Sequence, residues 1–345
     1  MNEYAMMVYP AANRVYADAS VSLLVNELRV ANETALEGRL AQPGEARIGG
    51  VPYVTFTAAE LSAADVALLS TLSTIYALFE VTGGLLRPVR LTPRDQFDSD
   101  LLTIQKYSGK TNELFTKLLL NVTALASDRP GDLVTGHPRV LDPLCGRGTT
   151  LNQAMMYGFD AAGVDTDGRD FDEYAKFIRT WLRNKRLKHT ADITPIRRNK
   201  AHVGRRLDVS LGVTKERYQA GDALKLAYVN ADTVRADEFY KSGSFDLIVT
   251  DAPYGVQHGS RRETERLSRT PDALLAAALP GWISLLRDGG AIGISWNTYV
   301  LPREELVALL EGNGLAVRDS LAYQGFEHRV DQAIQRDLIV ARKPV

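Results

Sequence analysis

The chain has 345 residues, 45% apolar and 24% charged, with 41 Lys and Arg against 42 Asp and Glu, for a formal net charge of −1. At roughly 100–200 residues per domain, this predicts two globular domains or one large one, and it excludes wholesale disorder and fibrous architectures. As an average, near-neutrality argues against a protein that holds nucleic acid by bulk electrostatics.

A single cysteine excludes intramolecular disulfides and multi-cysteine metal sites. Five scattered histidines form no H-x-x-x-H pair, so no metal is expected. The segment MNEYAMMVYP lacks a basic stretch followed by a long apolar core, which predicts no secretory signal. The most apolar window, Leu68 to Leu86, is broken by Glu80, two glycines and several Ser and Thr. It reads as helix, turn and strand rather than as a membrane span. The expectation is a cytoplasmic protein.

In chain order, residues 1–90 predict a strand (Tyr4–Tyr9), an amphipathic helix (Ala19–Ala31) and a Gly/Pro turn. A strand (Val51–Thr57), a helix (Ala63–Thr71) and a strand (Tyr76–Val81) follow. This is a small α+β domain of split β-α-β type, a candidate for substrate recognition. The polar stretch from Arg87, with two prolines, reads as a linker into a second domain over 91–345. From Arg139 the texture changes to short apolar runs between helical segments. These are RVLDPL, AAGVD, FDLIVTDAP, AIGISW, LAVRDSLAY and DLIVAR. Such runs predict a mostly parallel sheet covered on both faces, with ligands at the carboxyl ends of its strands.

Four segments sit where such a sheet carries chemistry. DPLCGRGTTL, Asp142 to Leu151, follows a strand and opens a helix; its Gly146 and Gly148 permit a tight turn against a ligand. It lacks the third glycine of a dinucleotide fingerprint and the lysine of a P-loop, and alone it is as readily a plain strand-to-helix turn. Asp142 beside it suits the cationic end of a ligand. GVDTD ends the next strand, and Asp165 stands about 20 residues after the turn, where nucleotide-binding sheets accept ribose hydroxyls. Asp167 reads as a helix N-cap. AGDAL offers Asp222 as an acceptor for an adenine amino group. DAPYG follows the strongest strand. There Asp251 can accept a proton or hydrogen bond from an amino group, Pro253 can aim the Ala252 carbonyl at the same nitrogen, and Tyr254 offers a ring for stacking.

Together, in this order, the segments resemble the class I S-adenosylmethionine-dependent amino-methyltransferases, closest to the tRNA guanosine-10 N2-methyltransferase type. The resemblance covers about residues 100–345. It implies a Rossmann-like, seven-stranded, mostly parallel sheet, with a cover segment over 100–130 and a catalytic core over 139–345 beside the small, ferredoxin-like N-terminal domain. It implies S-adenosyl-L-methionine as cofactor, held by Asp142, Pro143, Cys145, Gly146, Gly148 and Thr149 in the turn, Asp165 and Thr166 at the ribose, and Asp222 and Ala223 at the adenine. KYSGKTNELFTKLLLN, from Lys106, resembles the cover segment and adds Thr111, Asn112 and Phe115. Asp251, Ala252, Pro253 and Tyr254 become the catalytic tetrapeptide, with direct in-line transfer of a methyl group to nitrogen. The sequence departs from the pattern at Arg147, between the glycines, and at Ala252, where the family has a proline. The N-terminal part is also shorter than in the tRNA enzymes.

Charge is unevenly spread. Between Lys176 and Arg206 stand 11 Lys and Arg and one acid, Asp192, a local charge of +10 that leaves −11 for the rest. The ordinary reading of a charge run is a solvated helix face. This one is too one-sided for a salt-bridged surface and points to a polyanion, with RNA ahead of DNA. Phe177 and Trp181 interleave with the cations. Arg183, Lys185, Arg186, Lys188, Arg197 and Arg198 are the candidate contacts, with His258, Arg261 and Arg262 in the loop after the tetrapeptide. The leading function is methylation of an exocyclic amino group in RNA, guanine N2 before others. The alternatives are a peptide or small-molecule amine, adenine N6 in DNA, and a cofactor- or RNA-binding protein without catalysis.

Overall fold

A computed structural model describes residues 1–198, 201–254 and 270–345, with His202 described by its backbone only. The N-terminal part runs β1 (Asn2–Val8), α1 (Arg14–Glu33), β2 (Ala41–Ile48), β3 (Val51–Ala58), α2 (Ala63–Leu69), β4 (Ile75–Thr82) and β5 (Leu85–Val89). The strands form an antiparallel sheet in the order β2-β3-β1-β4-β5, the split β-α-β arrangement with one strand added. Asn13 caps α1 by accepting the Tyr16 N–H, and Ser62 with Asp65 forms a capping box on α2. Sequence reading missed β2 and β5. Both contain proline (Pro43, Pro88), which sheets tolerate at their edges, and both are edge strands here.

After Val89 the chain continues through α3 (Asp100–Thr103) and α4 (Glu113–Ala126). Helix α1 packs against α4 through one continuous apolar core. At the centre of that contact, fully buried Glu27 accepts the Ser73 N–H at 2.9 Å, the Ser73 hydroxyl at 2.5 Å and the Asn121 side-chain amide at 2.7 Å. Tyr157 completes the network by donating to Asn121 at 3.0 Å.

The second sheet is built from β6 (Arg139–Asp142), α5 (Thr149–Met156), β7 (Asp160–Asp165), α6 (Gly168–Asn184), β8 (His189–Arg198), β9 (Ala201–Leu211), α7 (Lys215–Gln219) and β10 (Leu224–Asn230). It continues through β11 (Phe245–Asp251), α8 (Pro271–Leu285), β12 (Leu286–Asn297), α9 (Arg303–Gly312), β13 (Ala316–Val317), β14 (His328–Arg329) and β15 (Gln335–Arg342). The order is β13-β15-β12-β11-β6-β7-β10-β9-β8, with β14 paired to β15. β10, β7, β6, β11 and β12 are parallel, and at one side the reversed strand β15 pairs antiparallel with both β12 and β13. These are the seven expected strands. A β8–β9 hairpin extends the sheet beyond them.

The apolar runs are continuous because both faces are covered. In β11, Leu247 and Val249 face the core under α4 to α6, while Ile248 faces the core under α8 and α9. LAVRDSLAY, by contrast, yields only the two-residue β13 and a short 3₁₀ turn at Leu321–Tyr323. Among the described residues, no helix is long and apolar enough to cross a membrane.

Candidate active site

The strand order reverses at β6: the chain goes on to β7 and β10 on one side and returns to β11 and β12 on the other. Doubly wound sheets bind ligands at such a switch point, beyond the carboxyl ends of the strands. A cavity of about 820 Å³ opens there, lined by the glycine turn, the tetrapeptide and the Tyr107–Thr111 segment. Its size is that of a small-molecule site.

The glycine turn is set by backbone geometry. Gly146 and Gly148 have φ of +45° and +75°, and a Cβ at Gly148 would stand 2.3 Å from the Tyr174 ring. The Gly146 N–H donates to Asp165 at 2.9 Å, and the Gly146 carbonyl accepts from Tyr228 at 2.7 Å. Asp165 also accepts the Asp167 N–H at 2.8 Å, and Asp167 caps α6 as its position suggested. Asp165 thus holds the turn from behind. Burial pushes its carboxyl pKa upward. Thr166 is exposed after it. Pro143 is buried and its carbonyl accepts from Thr233 at 2.5 Å. Thr149 meets the Tyr107 hydroxyl at 3.2 Å.

Asp142 lines the cavity with its carboxylate bonded by the Leu144 N–H at 3.1 Å and the Thr250 hydroxyl at 2.8 Å. Burial outweighs those bonds and pushes its pKa up to about 7. Cys145 is buried, and burial pushes its thiol well above the ordinary value. That keeps it a neutral thiol and removes it as a nucleophile. Arg147 does not block the cavity. It pairs with Asp170 at 2.8 Å and lies 4.7 Å over the Tyr107 ring, forming one wall.

Asp251 is the most densely bonded group in the site. Its Oδ2 accepts the Thr111 hydroxyl at 2.5 Å, its Oδ1 accepts Tyr254 at 2.5 Å and also Ser295, and Arg336 stands 3.9 Å from Oδ2. Register explains Ser295, which is the parallel partner of Asp251 on β12. Arg336 opposes Asn297 across the β12–β15 pair. Its guanidinium lies 4.4 Å from the Phe115 ring centroid and 5.1 Å from that of Tyr254. Ala252 is buried and donates its N–H to the Ser295 carbonyl at 2.8 Å, while Pro253 is exposed at the rim. Sequence reading missed Arg336 and Ser295. Their role arises from pairing between strands about 40 and 80 residues from Asp251.

Several expected residues lie elsewhere. Asp222 and Ala223 do not join the site: they precede β10 at the amino end of the sheet, where Asp222 pairs with Arg217 at 2.6 Å. The carboxyl end of that strand is Asn230, followed by Ala231 and Asp232. Phe115 does not cover the cavity but is buried beneath Arg336, and Asn112 caps α4 by accepting the Leu114 and Phe115 N–H groups. Thr111 alone of the three lines the cavity.

The basic segment is less bare than its sequence suggests. Acids from other elements meet Lys185 (Asp98 and Asp100), Arg198 (Glu238) and Arg205 (Asp172), and Asp208 on the same strand meets Arg206. Arg183, Arg186, Lys188 and Arg197 are exposed without an ion pair among the described residues. Trp181 is buried and donates to Asp100 at 3.0 Å, so it is no stacking platform. His258, Arg261 and Arg262 lie outside the described residues.

A switch-point cavity between a glycine turn and an acidic tetrapeptide, on this sheet, defines a Rossmann-like class I methyltransferase. Residues 133–287 match a family model described as the RMKL-like methyltransferase domain (UPF0020). The protein is a methyltransferase, and its cofactor is S-adenosyl-L-methionine. The cavity fits that group: its size accommodates it, no side chain projects from Gly146, and Asp142 offers a carboxylate to a cationic end.

Among solved structures, the chain has distant likenesses. N-methyltransferase NodS from Bradyrhizobium japonicum WM9 shares 12% identity at a TM-score of 0.38, over 67% of this chain and 95% of that one. The putative transferase PH0793 from Pyrococcus horikoshii shares 12% at 0.36, over 79% and 75%. A TehB-like SAM-dependent methyltransferase from Corynebacterium glutamicum shares 15% at 0.33, over 60% and 80%. No curated protein matches the chain in sequence.

Proposed function

We propose that the protein methylates an exocyclic amino group of a nucleic-acid base, with guanine N2 in RNA, tRNA foremost, as the preferred target. The observation that carries the reading is Asp251. It is a carboxylate at the carboxyl end of β11, on the cavity wall facing the glycine turn, bonded by three hydroxyls that fix its plane. The cofactor supplies an electrophilic methyl on a sulfonium. The chain supplies position: Asp142 for the cationic end and the Gly146 turn for close backbone approach. At the acceptor, Asp251 orients the amine lone pair and takes its proton after transfer. Tyr254 and the exposed cations of α6 and β8 support a base carried on a polyanion.

Labelled-methyl transfer to total RNA, DNA and protein fractions tests this. Label in RNA that nucleoside analysis resolves as N2-methylguanosine supports it; label confined to DNA or protein overturns it. The ion pairs that neutralise Lys185, Arg198, Arg205 and Arg206 favour a second reading, a peptide or small-molecule amine. Label appearing in protein or small-molecule fractions, with no salt-sensitive RNA binding, supports that one.

A further inference from the structure

Helix α6 and strand β8 enclose a groove of about 630 Å³ that is separate from the cofactor cavity. Lys176, Arg179 and Arg183 line it at i, i+3 and i+7 spacing, which places them on one helix face, and His189 stands at its far end. Ala191 and Ile193 form the opposite wall. Asp172 is the acid in the groove, and it is paired with Arg205 at 2.7 Å, so the groove presents net positive charge. Arg179 bridges the walls by donating to the Ala191 carbonyl at 2.8 Å, while its Nε is buried with no partner among the described residues. Lys176 and Arg183 are exposed and form no ion pair among the described residues.

Helix α6 contributes residues to both the cofactor cavity and the groove, from different faces. Asp170, in the first turn, lines the cofactor cavity. At 1.5 Å per residue, Lys176 stands about 9 Å further along the helix and Arg183 about 20 Å. The stretch from Lys176 to Arg183, about 10 Å, is long enough to span adjacent phosphates of one strand.

We propose that this groove binds the phosphate backbone of the substrate RNA, on the strand that presents its base to Asp251. The proposal rests on the RNA reading above. Phosphate contacts by Lys176 and Arg183 carry no sequence information of their own and serve to position the strand.

The full-length protein and its Lys176→Gln/Arg183→Gln variant are compared by binding to unfractionated tRNA over a range of salt, and by methyl transfer. The variant is expected to reduce the slope of log K against log salt by about 2 and to raise KM for RNA about tenfold or more. Its kcat at saturating RNA and its cofactor affinity by calorimetry are expected to stay within about twofold. Lys215→Gln/Lys241→Gln, two exposed cations before β10 and β11 that form no ion pair among the described residues, serves as the matched control and is expected to leave KM unchanged. An unchanged slope and KM in the Lys176/Arg183 variant, or a larger effect in the control, overturns the groove while wild-type RNA methylation keeps the functional reading. If wild type labels protein and no RNA, the functional reading falls and the groove falls with it.

Discussion

The Tyr254 hydroxyl donates to Oδ1 of Asp251 at 2.5 Å, three residues earlier in the same tetrapeptide. The contact occupies an acceptor that a substrate amine needs. An incoming base must therefore turn Tyr254 away, or share the oxygen with it. Tyr254→Phe keeps the ring and frees the oxygen, and should lower KM with kcat within about threefold. Tyr254→Ala removes the ring as well; with base stacking worth about 1–3 kcal/mol, kcat/KM should fall roughly 5- to 150-fold. Steady-state kinetics on both variants checks the split.

Arg336 holds that tyrosine in place. A guanidinium can lie flat between the Phe115 and Tyr254 rings while facing Asp251; an ammonium cannot stack in this way. Arg336→Lys retains the charge and should lower kcat/KM about tenfold, with thermal stability close to wild type. Arg336→Ala leaves the buried residues around it unfilled and should also destabilise the fold by about 2–4 kcal/mol, seen in urea unfolding.

Asp142 gives the cofactor step a pH dependence. Its pKa is pushed up to about 7 by burial, so below that pH it presents a neutral acid, and above it a carboxylate. A cationic ligand end prefers the carboxylate, so affinity for S-adenosyl-L-methionine should rise as pH increases through 7 and level off above about 8. Binding below 7 should release a proton, which calorimetry in two buffers of different ionisation enthalpy detects. Asp142→Asn should bind more weakly and lose the dependence.

The two sheets are tied together at Glu27. Burial raises its pKa, and hydrogen bonds from Ser73 and Asn121 oppose that shift. Glu27→Ala leaves those donors buried without an acceptor and should cost about 3 kcal/mol in urea unfolding. Glu27→Gln keeps one acceptor oxygen and should cost about 1–2 kcal/mol. Equal losses for the two would contradict the network.

The parts of the site that the sequence revealed are local in the chain. Asp142 and Asp251 end apolar runs, and Gly146 and Gly148 sit between a strand and a helix, so short-range pattern finds them. Asp222 stays outside the site because its Gly-Asp-Ala context falls at the amino end of β10, away from the cavity. The strand begins after it at Leu224. Ser295 and Arg336 could not be read at all, since only the β11–β12 and β12–β15 registers bring them to Asp251. The pairing within the charge run was hidden for the same reason. Asp98, Asp100 and Glu238 are distant in sequence and adjacent in space.

Asp251→Ala most directly tests the central claim, that this carboxylate handles the acceptor nitrogen. Single-turnover methyl transfer should fall by about 10²–10⁴-fold, the range for a lost general base, while calorimetric affinity for S-adenosyl-L-methionine stays within about threefold. Transfer at the wild-type rate, or loss of cofactor binding in parallel with turnover, would contradict it.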